Sequence, residues 1–437
     1  MALLAMPLAP GSSWGYSNPI RVGVAVGVSR GVLGGSGTAS DPWGSSVQFS
    51  GPVEVSCGAD GLLFQGRFLR FPVRVVGSEL SFNRVGYRGS LEILGSGGSF
   101  TVVNVLDLED YLRGIIKMEA NPAWPMEFLK AQAVVSRTYA LRNLGRHRSQ
   151  GFDLCAVSHC QLYRGRNAED SRTDQAVEST RGMVLTYGGA LAVTPFHADS
   201  GGQTAAASNV WGGTLPYLVS RPEPVSYSSP YSFWRVSLSS DQIERALRNI
   251  NRWVGRILDI RVLSRDGGGR ITSMEIQGSN GRTRLSGHEF RMAVGSKVVR
   301  STNFMVAGTG SGSASPPTTV ADGGGNVALS KGDDLLEMAE QGIFNRDEIF
   351  DMIMNPSKRE VYRRVGQERA SRPTQQAPMP TSGATPRGGG LTWTFEGRGW
   401  GHGVGMSQWG AKALAEAGWT FEQILMYYYP GTNIGRR

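Results

Sequence analysis

Glu119-Ala-Asn-Pro-Ala-Trp-Pro-Met-Glu-Phe-Leu-Lys-Ala-Gln-Ala-Val-Val-Ser-Arg-Thr-Tyr-Ala-Leu-Arg142 places a carboxylate where two helices meet. Upstream, Leu108, Tyr111, Leu112, Ile115 and Ile116 recur at helical spacing, and Glu119 continues the same stripe. Pro122 and Pro125 break this first helix, and Pro125 suits the first turn of a second. An apolar setting disfavours the charged form of a carboxylate, which is what a general acid needs near neutral pH. The plainer reading is a helix-terminal carboxylate satisfied by backbone N–H groups or by an arginine. Among its neighbours, Asp110 falls off the stripe, and Glu109 and Glu127 occupy helix positions expected to face water.

On the second helix Lys130 and Arg137 lie seven residues apart and share a face, among the small residues Ala131, Ala133, Ser136 and Ala140. Cations beside close-packed backbone suggest an anion site or a partner for Glu119. The alternative is a solvated face, the usual fate of Lys and Arg.

A second stretch begins at Leu391. Leu391, Trp393 and Phe395 alternate with Thr392 and Thr394, the pattern of a strand with one buried face. It runs into Gly397-Arg-Gly-Trp-Gly-His-Gly-Val-Gly405, whose five glycines in nine residues preclude a helix or strand interior. This turn presents Trp400 and His402 on a loop. A helix is expected from Met406 through Ala417 with Gly418 as its stop, and Thr420-Phe-Glu-Gln423 reads as the capping box of a last helix. The glycine spacing fits neither a P-loop nor a dinucleotide fingerprint.

Together these stretches resemble the SpoIID/LytB family of bacterial cell-wall proteins. The resemblance rests on the Glu119 helix end, on the Trp124 to Leu141 helix and on Gly397-Arg-Gly-Trp-Gly-His-Gly-Val-Gly-Met-Ser-Gln-Trp-Gly-Ala411. Phe196-His-Ala-Asp-Ser-Gly-Gly-Gln-Thr204 matches a further family loop, and Leu285–Arg291 and Ser301–Phe304 match weaker blocks. One departure is Ala120, where the family commonly has Met after its glutamate. The resemblance implies lytic transglycosylase chemistry on peptidoglycan strands, with Glu119 as the single acid/base. It equally implies, from the LytB-type members, a glycan-binding module that enhances an amidase. Lys130 and Arg137 are then expected to meet the lactyl carboxylate of MurNAc, or Arg137 to orient Glu119. His197, Ser200, Gly201 and Thr204 are expected to line the same groove, with His402, Ser407 and Gln408 closing it. A structural hydrogen-bonding role is the competing reading for each histidine.

Cys57, Cys155 and Cys160 are too few for a disulfide framework. Cys155 and Cys160 with His147 supply zinc ligand types, and some family members carry zinc at a similar pattern. Adjacent His159 and Cys160 are hard to aim at one ion, so His147 is preferred over His159 as third ligand. A Cys155–Cys160 disulfide and a pair of inert thiols compete with zinc. The acid/base chemistry requires no cofactor, so a zinc ion here is expected to be structural.

The expected fold class is α+β: a strand-rich module with a helix pair carrying the acid and a glycine-rich C-terminal loop-helix unit. Ile20–Val26, Leu69–Val76 and Thr101–Leu106 read as strands. The module is expected over 19–307 and 391–437. Residues 308–390 form a flexible insertion with short amphipathic helices at Asp333–Glu340 and Asp347–Met354, a candidate recruiter of cell-wall partners. Residues 1–18 read as a tail or the remnant of a signal peptide, being apolar at the start without a basic region. Export to the periplasm or wall is expected nonetheless, and no apolar run is long enough for a membrane span. The net charge of +9 and pI near 9.6 suit an acidic polymer. Basic runs interleaved with aromatics and nucleic-acid-binding motifs are missing, which argues against a nucleic-acid partner.

Overall fold

Why the N-terminal third is a sheet follows from its alternation. In β3 (Ser46–Ser50) Val47 and Phe49 turn inward between exposed neighbours, and in β4 (Val53–Cys57) Val53 and Val55 do the same. The computed structural model describes residues 19–58, 60–310, 338, 359–370 and 391–437. Contacts divide the chain into one unit spanning Met1–Leu112 with Arg437 and another spanning Arg113–Arg436.

The first unit is an antiparallel sheet. In spatial order it runs β1 (Ile20–Val28), β10 (Ser99–Leu106), β9 (Ser90–Ser96), β7 (Val73–Phe82), β2 (Arg30–Ser40), β4, β5 (Gly61–Phe64) and β6 (Arg67–Arg70). β3 and a short β8 (Val85–Gly86) pair with β2 and β7. Val22, Leu33, Phe64, Val75, Leu91, Ile93, Phe100 and Val102 are buried. The Leu69–Val76 run is two strands and not one: it breaks at Phe71-Pro72, between β6 and β7. Proline has no N–H to give a ladder, so the chain turns there.

α1 (Leu108–Glu119) carries the chain into the second unit, and α2 (Met126–Arg142) follows after a turn in which Trp124 N–H donates to Asn121 O. Phe128, Leu129, Ala131, Val134 and Val135 of α2 are buried in one core. That core also takes Leu414 of α8 (Gln408–Glu416) and Ile424 and Leu425 of α9 (Phe421–Tyr428). Between these come α3 (Ser171–Ser179), α4 (Ala207–Trp211), α5 (Ser240–Asn249), α6 (Gly287–Val294) and α7 (Arg359–Ala370). The capping boxes at Ser239, Ser286 and Thr420 start α5, α6 and α9, the last as the sequence predicts.

A second core lies around strands Trp234–Ser239, Ile257–Arg265, Ile271–Gly278 and Thr392–Gly397, with Trp234, Ile276, Phe290, Phe304 and Phe395 inside. Strand Thr392–Gly397 holds the buried Trp393 and Phe395 that its alternation predicts. It pairs antiparallel with Phe304–Gly310, so Gly310 lies opposite Thr392. The chain therefore leaves and re-enters at neighbouring strand ends, a geometry that accommodates an insertion between them. The two amphipathic helices expected within it fall outside the described residues apart from Met338, as do residues 1–18. The fold is thus a strand-rich α+β mixture.

Candidate functional site

Glu119 closes α1 and is half-buried, with exposed Met118 on one side and buried Ala120 on the other. Ile115 and Ile116 are fully buried, so the stripe holds up to the last turn and opens at the carboxylate. Ser407 caps α8, its Oγ accepting from Gly410 N–H at 3.2 Å. The next residue, Gln408, donates from Nε2 to the Glu119 backbone carbonyl at 2.8 Å and to Gln132 Oε1 at 3.3 Å. Helix α1, helix α2 and the start of α8 thus meet at Glu119. Trp409 packs on Trp124 with ring centroids 5.0 Å apart, and Lys412 Nζ lies 5.3 Å from the Trp409 ring centroid and 5.9 Å from that of Trp124.

The neighbouring acids differ from expectation. Glu109 is buried, 5% exposed, and not wet. Glu127 is half-buried; it pairs with Lys130 Nζ at 2.6 Å and accepts from Phe421 N–H at 2.8 Å, at the first turn of α9. A carboxylate at a helix N-terminus satisfies an orphan donor and the helix dipole. Lys130, which also lies over the Phe421 ring, is thereby held in a fold contact, in place of the predicted anion site.

Arg137 requires a larger correction. Its side chain is 0% exposed. Its guanidinium donates to Val177 O and Met183 O at 3.1 Å each and to Thr180 Oγ1 at 3.4 Å. The five-donor fork thus ties Val177 O at the end of α3, where a cation also complements the dipole, to Met183 O at the start of the following strand. An enclosed guanidinium does not face a glycan, so the predicted lactyl contact is replaced by a helix cap.

The two glycine-rich motifs build one another. Phe196–His197 pairs in parallel with Met406–Ser407, which places a short strand where the sequence suggests the helix already begins. Asp199 and Trp400 exchange backbone hydrogen bonds at 3.0 and 2.9 Å, and Ala205 N–H donates to Gly403 O at 2.8 Å. Gly401 and Gly405 have φ of +119° and +70°. A Cβ on them would lie 2.5 Å from His197 Cβ and 2.1 Å from Pro195 O. Only glycine allows so close an approach. His197, Ser200, Thr204, His402 and Ser407 are all buried, at 4% exposure or less. They are scaffold beneath the surface and not the groove lining predicted for them. His402 Nδ1 accepts from Val404 N–H at 2.9 Å, His197 Nδ1 lies 3.2 Å from Val404 O, and Thr204 Oγ1 accepts from Arg221 N–H at 2.8 Å. Gly201, half-buried at φ +73°, donates to Asp199 Oδ1 at 2.7 Å.

Sequence reasoning passed over an acidic cluster at this junction. Ser200 Oγ donates to Glu223 Oε1 at 2.6 Å, and Tyr428 OH donates to Glu223 Oε2 at 2.6 Å. Tyr227 OH donates to Asp199 Oδ1 at 2.9 Å, and Ser229 Oγ bonds the other Asp199 oxygen. Burial pushes the Glu223 carboxyl up, and the nearby Asp199 charge adds to the shift. Burial also raises the Tyr227 and Tyr428 phenols, so both remain donors. Asp199 lies inside the Phe196–Thr204 motif, but Glu223 and Tyr227 sit in an irregular segment with no periodicity to mark them.

His147, Cys155, His159 and Cys160 converge, with all four ligand atoms within 4.8 Å of one another. His147 Nε2 lies 3.2 Å from His159 Nδ1 and 3.3 Å from Cys160 Sγ. His159 Nδ1 lies 3.5 Å from both sulfurs. Zinc bound tetrahedrally at roughly 2.0–2.3 Å spaces its ligand atoms roughly 3.3–3.8 Å apart, so the constellation fits a Cys2His2 site. The expectation that His159 and Cys160 diverge is overturned, because the turn Val157–Cys160 (Cys160 N–H to Val157 O, 3.1 Å) aims both inward. His147 Nδ1 faces Gln150 Oε1 at 2.7 Å, which turns Nε2 to the cluster. Burial holds the His159 imidazole below its ordinary range, in the neutral, ligating form. Both cysteines are free thiols and not a disulfide.

Several known proteins resemble this chain in sequence. Residues 96–187 match the family described as stage II sporulation protein (SpoIID), and residues 226–326 match a domain of unknown function. An uncharacterized protein of Brachyspira hyodysenteriae is 26% identical over 81% of this chain and 73% of its own length. The amidase enhancer of Bacillus subtilis is 28% identical over 74% of this chain, but the match spans 40% of that protein. Stage II sporulation protein D of Bacillus subtilis is 23% identical over 76% of this chain and 75% of its own. These matches support the resemblance to the SpoIID/LytB family.

Proposed function

We propose that this chain is a peptidoglycan lytic transglycosylase with Glu119 as its general acid and base. The observation that carries the reading is the half-buried Glu119 at the meeting point of α1, α2 and α8, beside the Trp124–Trp409 pair. A hydrolysing glycosidase generally uses two carboxylates across the bond. Here Glu127 is engaged with Lys130 and Phe421, and Glu223 with Ser200 and Tyr428, whereas Glu119 sits at the helix junction.

In the proposed reaction the Glu119 carboxyl protonates the glycosidic oxygen leaving MurNAc C1. The resulting carboxylate then takes the proton of the MurNAc 6-hydroxyl, whose oxygen bonds C1. The C1–O bond to GlcNAc breaks, a 1,6-anhydro ring forms, and the proton ends on the enzyme, so no water is consumed. Gln408 holds the Glu119 backbone, and the aromatic pair offers faces to sugar rings. Zinc at His147, Cys155, His159 and Cys160 would tie the segment after α2 together and supply stability, with no part in the proton transfers.

The amidase-enhancer relative supports a second reading, in which the same surface binds glycan and aids an amidase without cleaving. Product analysis with wild type and Glu119→Gln separates the two. Either activity requires export. Among the described residues no helix is long and apolar enough to cross a membrane. Fractionation of the native host, with the protein found outside the cytoplasm, tests that requirement.

A further inference from the structure

A cavity of about 350 Å³ lies between α8 and the loop Val225–Ser228. Trp409, Lys412 and Glu416 line one side, and Ser226, Tyr227 and Ser228 the other. Nothing in the family resemblance assigns it a role. We infer that it is a subsite for a single N-acetylmuramoyl ring, with Trp409 as its platform and Lys412 as the contact for the ring's lactyl carboxylate. The inference rests on the glycan reading above.

Four observations carry it. The volume sits at the lower end of the roughly 300–1,000 Å³ typical of ligand sites, enough for one sugar and not a strand. The lining joins an aromatic face to hydroxyls and a charged pair, the chemistry of a polar ring with apolar faces. The wall is fixed from behind, because Tyr227 OH is held by Asp199 at 2.9 Å and lies 3.3 Å from Ser200 Oγ. Unlike the fully buried Arg137, Lys412 lines the cavity with a side chain 20% exposed. Its partner Glu416, at 2.6 Å, has a side chain 52% exposed, and such a surface pair is worth little and exchanges readily. A ligand carboxylate can therefore take Glu416's place. Trp409 directly follows Gln408, so the cavity adjoins the element that contacts Glu119.

The test is calorimetric titration of the full chain in the non-cleaving Glu119→Gln background. The ligands are a GlcNAc–MurNAc tetrasaccharide with free lactyl groups and a neutral GlcNAc tetramer. The lactyl ligand is expected to bind more tightly. Lys412→Met should weaken it by about tenfold and leave the neutral tetramer unchanged, the scale of one charge-assisted contact. Glu416→Gln, on an exposed side chain, should move the lactyl ligand the opposite way by freeing Lys412. It keeps the test valid if Lys412→Met disturbs packing on the tryptophans. Equal affinities for both ligands in all three proteins, or no binding by any, overturns the subsite. Lys412-dependent binding by a wild type that cleaves nothing would keep the subsite and remove the transglycosylase. Cleavage with no Lys412 dependence would do the reverse.

Discussion

Gln408 and Glu119 stand 289 positions apart and are joined by a 2.8 Å hydrogen bond from the Gln408 side chain to the Glu119 carbonyl. The bond satisfies one of the carbonyls that a helix end leaves open, and it fixes the backbone from which the acid projects. Gln408→Leu should lower kcat by roughly tenfold or more through misplacement of the acid, with glycan affinity little changed. The accompanying loss of stability should be about 1 kcal/mol. Steady-state kinetics and urea unfolding measure both. Unchanged kcat would mean that the α1–α8 junction does not position Glu119.

Arg137 distinguishes a fold role from a substrate role. Lysine cannot reproduce the fork that serves Val177, Thr180 and Met183. Arg137→Lys should therefore cost about 2–4 kcal/mol of stability, as expected when a buried charge loses partners. Thermal unfolding should show it. An unaltered Tm with weaker glycan binding would return Arg137 to the groove.

Metal content is expected at one zinc per chain, by elemental analysis of protein purified without chelator. Cys155→Ser or exhaustive chelation should remove the ion and lower Tm by about 5–10 °C, because binding energy at a structural site is folding energy. Recovery of a metal-free chain with Cys155 and Cys160 oxidised would contradict the tetrahedral reading.

The Glu223 cluster predicts a pH dependence of stability. Its folded carboxyl is raised above the unfolded value by burial, with Asp199 adding to the shift. Between those two values the native state holds a proton that the unfolded chain has released, so stability falls as pH rises through the window. Below the ordinary glutamate range the contribution is fully present. Glu223→Gln keeps a neutral, hydrogen-bonding group and should abolish this slope, so that the variant gains on wild type as pH rises past the window. Parallel stability curves across pH would mean that Glu223 is ionised throughout.

Much of this was legible in the sequence because it is local. The Glu119 helix end, the start of α2, the buried face of Trp393 and Phe395, and the Thr420 box all follow from periodicity and capping. Partnership across the chain did not. Nothing in the spacing of Lys130 and Arg137 reveals that one meets Glu127 and the other the end of α3. The histidine and serine motifs read as a groove because their residue types are those of active sites. In the fold they instead lock the Phe196–Thr204 and glycine-rich loops together beneath the surface. Adjacency to Cys160 argues against His159 as a ligand, yet a tight turn overcomes adjacency. Glu223 gains its setting only from Ser200 and Tyr428, both remote in sequence.

Mass spectrometry of purified glycan strands, after incubation with wild type and with Glu119→Gln, tests the central claim most directly. Strands with and without stem peptides should both be used. Wild type is expected to give 1,6-anhydroMurNAc ends, with the variant slower by about 10²–10⁴-fold. Reducing ends from wild type, or equal cleavage by the variant, would contradict Glu119 as the single acid and base.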